Sequence, residues 1–214
     1  MRYQAVIFDL DGVIVSTDIY HYQAWKKMAD SLGVYFDEQI NNRLRGVSRM
    51  ESLEIILERC DRELTKEEKD ELAESKNKTY RALLNQMAPA DLSDEVKNTL
   101  ERLRAGGLKL AIGSSSKNAR LILERIGLSG FFDAISDGNN ITNSKPDPEV
   151  FVKAAEMLGV DCALCAVVED AKAGLIAAKR AGMAAIGIHD AAGAPEADFS
   201  LDRFSGLPEA VGLE

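Results

Sequence analysis

Three cysteines in 214 residues, Cys60, Cys162 and Cys165, are too few for a disulfide framework. The spacing Cys162-x-x-Cys165 raises a zinc or redox reading. Zinc normally takes four ligands, however, and the only histidines, His21 and His189, lie far off in sequence. Cys165 also falls in an apolar run, where cysteine acts as a small hydrophobe. No apolar run approaches the roughly 20 residues of a membrane helix. The first residues, Met-Arg-Tyr-Gln-Ala-Val-Ile-Phe-Asp, carry charge where a signal peptide is apolar and show no cleavage site, so a cytoplasmic location is expected. Positive charge is in deficit. A net charge of -9 argues against nucleic acid or an anionic membrane as partner, yet leaves room for a small anionic substrate held by the local field of a pocket. Internal repeats and low-complexity segments are missing as well.

What is present is an ordinary globular composition, 46% hydrophobic and 29% charged, in a chain long enough for one core plus a small insert. Short apolar runs at 5–9, 108–113, 164–168 and 184–188, with a weaker one at 132–135, suit buried parallel strands. Helical periodicity fills 93–105, 117–126, 148–158 and 171–181, and glycines 106, 107, 127, 159 and 182 follow where C-terminal caps fall. Repeated strand–helix–strand units predict an α/β fold, a doubly wound, mostly parallel Rossmann-like sheet. One connection breaks the rhythm. About a hundred residues follow the first strand, far more than a crossover needs. Ser48-Arg-Met-Glu51 and Thr65-Lys-Glu-Glu68 read as capping boxes, and another helix is expected from Asp18 to about Leu32. The division expected is a core of 1–17 and 90–214 with a helical cap, 18–89, inserted after strand one. Hinges fall near 16–18 and 89–94. Both layers can bury their apolar faces, so a monomer is expected.

The strand ends carry the chemistry. Strand one closes in Asp9-Leu10-Asp11-Gly12, and in extended chain residues two apart face the same way. Two close carboxylates need a cation or a shared proton, and a hard divalent ion such as magnesium suits a phosphate site. Alone, this motif is as readily an Asp-x-Asp-Gly turn. A second acidic pair, Glu169-Asp170, ends the run at 164–168. Ser114-Ser115-Ser116 with Lys117-Asn118 opens a helix, where hydroxyls and amides cradle anions or simply cap. Lys145 precedes Pro146-Asp147-Pro148, a stiff turn able to aim an ammonium group at a phosphate. Four strand ends bearing acids, hydroxyls, lysine and acids make a phosphate site.

In this order, Asp9-x-Asp11, Ser114, Lys145 and Glu169-Asp170, the motifs resemble the haloacid dehalogenase-like superfamily of phosphotransferases. The resemblance implies that Asp9 is a nucleophile forming an aspartyl phosphate and Asp11 the general acid and base. It implies that Ser114, Ser115 and Lys145 hold phosphoryl oxygens, and that magnesium sits among Asp9, Asp11 (through its carbonyl), Asp170 and nearby Glu169.

Further matches are similar to the β-phosphoglucomutase branch: Thr17-Asp18, His21 and Trp25, Gly46-Val47-Ser48-Arg49, Lys76-Asn77 and Ser115-Ser116-Lys117-Asn118. This implies a small phosphorylated sugar as partner, glucose 1,6-bisphosphate as activating intermediate, and substrate contacts from Thr17, His21, Trp25, Gly46, Arg49, Lys76, Ser116 and Asn118. Arg49 has a physical reason of its own. It falls in the first turn of the helix capped by Ser48, where the dipole disfavours a cation unless an anion joins it. Lys76 reads equally as a solvated helix face, His21 as hinge filler, and Trp25 as insert core or sugar platform. Most members of that branch open the helix after the second hinge with Pro-Gly; this chain has Ser93-Asp94.

Overall fold

Alternation along each strand sorts the core onto two faces of one sheet. The computed structural model describes residues 3–213. Six strands, β1 (Ala5–Phe8), β2 (Lys109–Gly113), β3 (Ala134–Ser136), β4 (Cys165–Glu169), β5 (Ala184–Ile188) and β6 (Phe199–Leu201), pair in parallel in the order β3-β2-β1-β4-β5-β6. Val6, Phe8, Leu110, Ile112 and Val168 face one layer, where they meet helices α5 (Asp94–Ala105) and α6 (Ala119–Arg125). Ala5, Ile7, Ala111 and Val167 face the other, against α7 (Glu149–Leu158) and α8 (Lys172–Arg180). Strand order reverses at the β1/β4 step, so the crevice beyond their carboxyl ends is where such a sheet receives a ligand.

The long connection after β1 folds as α1 (Asp18–Ser31), α2 (Glu38–Asn42), α3 (Arg49–Leu57) and α4 (Lys66–Leu84). They bury a cluster of their own around Trp25, Phe36, Leu53 and Ile56. Both capping boxes form: the Ser48 hydroxyl accepts from the Glu51 amide at 3.3 Å, and that of Thr65 from Glu68 at 3.2 Å. After the insert, Ser93 accepts from the Val96 amide at 3.2 Å, so Ser93-Asp94 starts α5 by capping it.

The sheet extends one strand beyond the five expected. The tail after Ile188 supplies β6 and then α9 (Leu207–Ala210), whose Leu207 lies fully buried on the α5 side with Val211 just beyond it. Cys165 lies inside β4, its thiol pushed up to about 12 chiefly by burial and bonded to the Asp161 carbonyl. That is the behaviour of a core residue. Among the described residues, no helix is long and apolar enough to cross a membrane.

Candidate active site

β1 ends at Phe8, so Asp9 to Asp11 already leave the strand and their carboxylates part company. The Asp9 amide still bonds to the Val168 carbonyl at 3.0 Å, which fixes this segment beside β4. The Asp9 carboxylate is bonded to the Lys145 ammonium, which also donates to Glu169 at 2.5 Å. Lys145 is almost wholly buried, as is Glu169. Burial alone would drive the lysine toward neutrality, but Asp9 and Glu169 outweigh it and raise its pKa. Asp9 is held well above the carboxylate range by burial, opposed by Lys145 and reinforced by Glu169, Asp170 and Asp11.

The Asp11 carboxylate turns instead to the buried Thr17 hydroxyl, which donates to Oδ1. Burial lifts its pKa to about 6, against the lowering effect of the Thr17 bond. Asp170 is raised to about 7, by burial and then by Glu169. It lies directly over Gly12: a Cβ there would stand 2.0 Å from Asp170 Oδ2, and φ is +84°. Only glycine permits this approach. Gly174 does the same for Glu169, whose carboxyl oxygen would lie 1.9 Å from an added Cβ.

From β2 the chain runs into the serine loop. Ser114 is buried and its hydroxyl accepts from the Ser116 amide, that of Ser116 from the Asn118 amide, both at 3.2 Å. The Ser115 hydroxyl donates to the Gly46 carbonyl at 3.2 Å, joining core to insert. Asn118 joins them again, donating to Asn77 Oδ1 at 3.0 Å and accepting from Arg81 at 3.1 Å. Core and insert enclose a cavity of about 620 Å³. Asp9, Asp11, Ser114, Ser115, Glu169 and Asp170 line it from the core; His21, Trp25, Gly46, Arg49 and Lys76 line it from the insert, with Ser116 and Asn118 between. Thr17 and Lys145 stand behind this lining, Thr17 bonded to Asp11 and Lys145 to both Asp9 and Glu169.

The two ends of the cavity differ in charge. Carboxylates crowd the core end. At the insert end Arg49 is partly buried, 3.6 Å from Glu74, and its pKa is lowered chiefly by burial. Lys76 is not solvated: its ammonium lies 3.0 Å from His21 Nδ1 and 4.4 Å from the centre of the Trp25 ring. Burial and Arg49 push it down to about 7, while Asp11 pulls the other way. His21 is held well below its usual value by burial, Lys76 and Arg49. Trp25 serves both the insert core and the cavity wall. Two residues outside the sequence expectations join this frame. Arg45 pairs with Asp18 at the first hinge and with Asp190 after β5. Tyr80, four residues beyond Lys76 and so on the same face of α4, reaches Thr17.

Lys76 carries a stability cost that can be read. Its folded-state value lies below the ordinary 10.5, so between about 7 and 10.5 the unfolded chain binds the extra proton and stability rises with pH. The penalty is full below about 7 and fades toward 10.5. Lys76→Met should therefore gain on the order of a few kcal/mol at neutral pH and lose affinity for sugar phosphate. Urea unfolding at about pH 6.5 and about pH 9.5 checks this, with the gain shrinking at the higher pH. Equal gains at both would mean the ammonium bears no such cost.

A model of the haloacid dehalogenase-like hydrolase family matches residues 3–182, and the chain belongs to that family. It is 44% identical over 187 residues to the β-phosphoglucomutase of Bacillus subtilis, covering 86% of this chain and 83% of that one. It is 32% identical to a phosphorylated carbohydrates phosphatase of Thermotoga maritima, over 84% of this chain and 82% of that one. The crystal structure of a β-phosphoglucomutase from Clostridium difficile superposes with a TM-score of 0.91 and 37% identity, covering 96% of this chain and 93% of that one.

Proposed function

We propose that this chain is a phosphomutase that interconverts β-D-glucose 1-phosphate and glucose 6-phosphate, with β-glucose 1,6-bisphosphate as intermediate. The observation that carries the reading is one cavity spanning from Asp9 at the core end to two basic side chains, partly buried Arg49 and buried Lys76, at the insert end. A bisphosphorylated sugar places one phosphate at each end and can exchange them by turning round.

Asp9 attacks phosphorus and becomes the aspartyl phosphate; the P–O bond to the sugar breaks as Asp11 gives its proton to the departing oxygen. In the reverse half, Asp11 takes the proton of the accepting sugar hydroxyl while that oxygen attacks the phosphoryl group on Asp9. Ser114, Ser115 and the Lys145 ammonium hold phosphoryl oxygens, and the bond from Ser115 to the Gly46 carbonyl seals the seam. Arg49, Lys76, Ser116 and Asn118 hold the distal phosphate, with Trp25 and His21 against the sugar. In this reading residues 18–89 are a cap that must close to keep water from the aspartyl phosphate and open to let the intermediate turn. The bonds from Arg45 to Asp18 and Asp190 support the closed arrangement.

The donor set fits magnesium. Asp9 and Asp170 offer carboxylate oxygens and Asp11 its carbonyl, all hard ligands; burial is the main cause of both raised carboxyls, and the neighbouring acids add to it against Lys145. No group of three His, Cys, Asp or Glu side chains surrounds one point among the described residues. Magnesium tolerates this, because it commonly takes only one or two protein carboxylates and completes its shell with water and phosphate. Bound there, it would neutralise charge on the transferring group.

Mutase activity should need only catalytic amounts of the bisphosphate and release little free phosphate. Steady phosphate release from β-glucose 1-phosphate, with no glucose 6-phosphate formed, would instead identify a phosphatase. Arg49→Ala separates the two ends of the cavity. It should raise KM for glucose 1-phosphate by roughly tenfold or more, the weight of a charged hydrogen bond, while hydrolysis of a simple aryl phosphate stays nearly unchanged. Equal losses on both would remove Arg49 from the distal phosphate.

A further inference from the structure

One buried hydroxyl behind the lining of the site has no part in the mechanism above. Tyr80 of α4 is 1% exposed, and its hydroxyl donates to Thr17 Oγ1 at 3.0 Å. Thr17 in turn donates to Asp11 Oδ1. A threonine hydroxyl has one proton to give. With Tyr80 donating to Thr17, the buried Thr17 proton has Asp11 Oδ1 as its acceptor. Oδ1 is then an acceptor, and a proton carried by Asp11 must sit on Oδ2. Without Tyr80, Thr17 can rotate and accept from a protonated Oδ1, which leaves the acid's proton on the oxygen bonded to Thr17.

We propose that Tyr80 is a positioning residue which, through Thr17, keeps the transferable proton of Asp11 on Oδ2. The inference rests on the phosphomutase reading, in which Asp11 exchanges that proton with the sugar. It also gives the insert a hand in the acid–base step, since Tyr80 belongs to α4 and Asp11 to the core. The Asp11–Thr17–Tyr80 chain is complete only while α4 lies against the first hinge. An acid whose proton is oriented by a residue of the insert is effective when the cavity is enclosed.

Tyr80→Phe removes only the hydroxyl. The ring keeps its place 4.1 Å from that of His21 and 4.6 Å from the Lys76 ammonium, so the fold and the distal end should survive. The test uses wild-type, Tyr80→Phe, Thr17→Val and the double variant. Each is assayed on β-glucose 1-phosphate and in the pre-steady-state burst with p-nitrophenyl phosphate, whose phenolate leaves without being protonated. Tyr80→Phe should lower kcat on the sugar phosphate by about tenfold, a part of what a positioned acid–base group supplies. KM should stay within about twofold and the burst rate likewise. In the Thr17→Val background the same change should cost less than about twofold, because the two residues act as one unit. No loss on the sugar phosphate, an equal loss in the burst, or a full extra loss on top of Thr17→Val would each overturn the role of Tyr80. A wild-type protein that forms the aspartyl phosphate but transfers it only to water would refute the mutase reading itself, and this inference with it.

Discussion

Asp9→Asn abolishes turnover, by roughly four orders of magnitude or more, the scale on which covalent catalysts lose activity with their nucleophile. The amide cannot attack phosphorus, yet it is nearly the same shape as the carboxylate and can still accept from Lys145. The variant should therefore fold and still bind the sugar phosphate, so the loss lies in kcat. Binding measured by calorimetry alongside turnover checks the split. Turnover above about a hundredth of wild type would take the nucleophile's role from Asp9.

Lys145→Met has the second large effect, and it falls on stability as well as rate. The ammonium is the shared partner of two buried carboxylates, and its side chain is 0% exposed. Removing one member of such a group leaves buried charge uncompensated, at a cost of about 3–5 kcal/mol. The pH dependence follows from sign. Asp9 already sits above its ordinary value of 3.8, and Lys145 is what pulls it down. Without the lysine the folded state holds protons that the unfolded chain releases, so stability falls as pH rises above about 4 and returns toward acid. Denaturant unfolding of the metal-free variant should show it closest to wild type near pH 5, with the gap widening to pH 8. A gap constant with pH would mean the cost is packing, not charge.

The strands that matter most for the site were legible because they are short, apolar and buried on both faces. β1, β2, β4 and β5 read that way, and three of them lead into residues the crevice uses: Asp9 just past β1, Ser114 just past β2, and Glu169 at the end of β4. β6 did not. Three residues at the sheet edge, with Ser200 exposed between its neighbours, carry no period to detect. The acids of the first motif were legible as a pair but not in direction. The two-residue rule holds within a strand, and β1 stops at Phe8. Beyond it Asp9 follows Lys145, distant in sequence, while Asp11 follows Thr17.

Lys76 hid for a different reason. It lies in a helix rich in Lys and Glu, which reads as solvated until Trp25 and His21 of another helix close over it. Arg45 and Tyr80 carry no motif. Their parts depend on Asp190 and Thr17, residues brought near only when insert and core meet. Arg49 stood out in the sequence because a cation in the first turn of a capped helix asks for an anion, and the structure sets it on the cavity wall, 3.6 Å from Glu74.

The central claim is that Asp9 hands its phosphoryl group to a sugar hydroxyl and not to water. Enzyme carrying a radioactive phosphoryl group on Asp9, mixed with β-glucose 1-phosphate and stopped after a single turnover, tests it most directly. Nearly all the label should appear in glucose bisphosphate and glucose 6-phosphate. Label found chiefly in inorganic phosphate would contradict it.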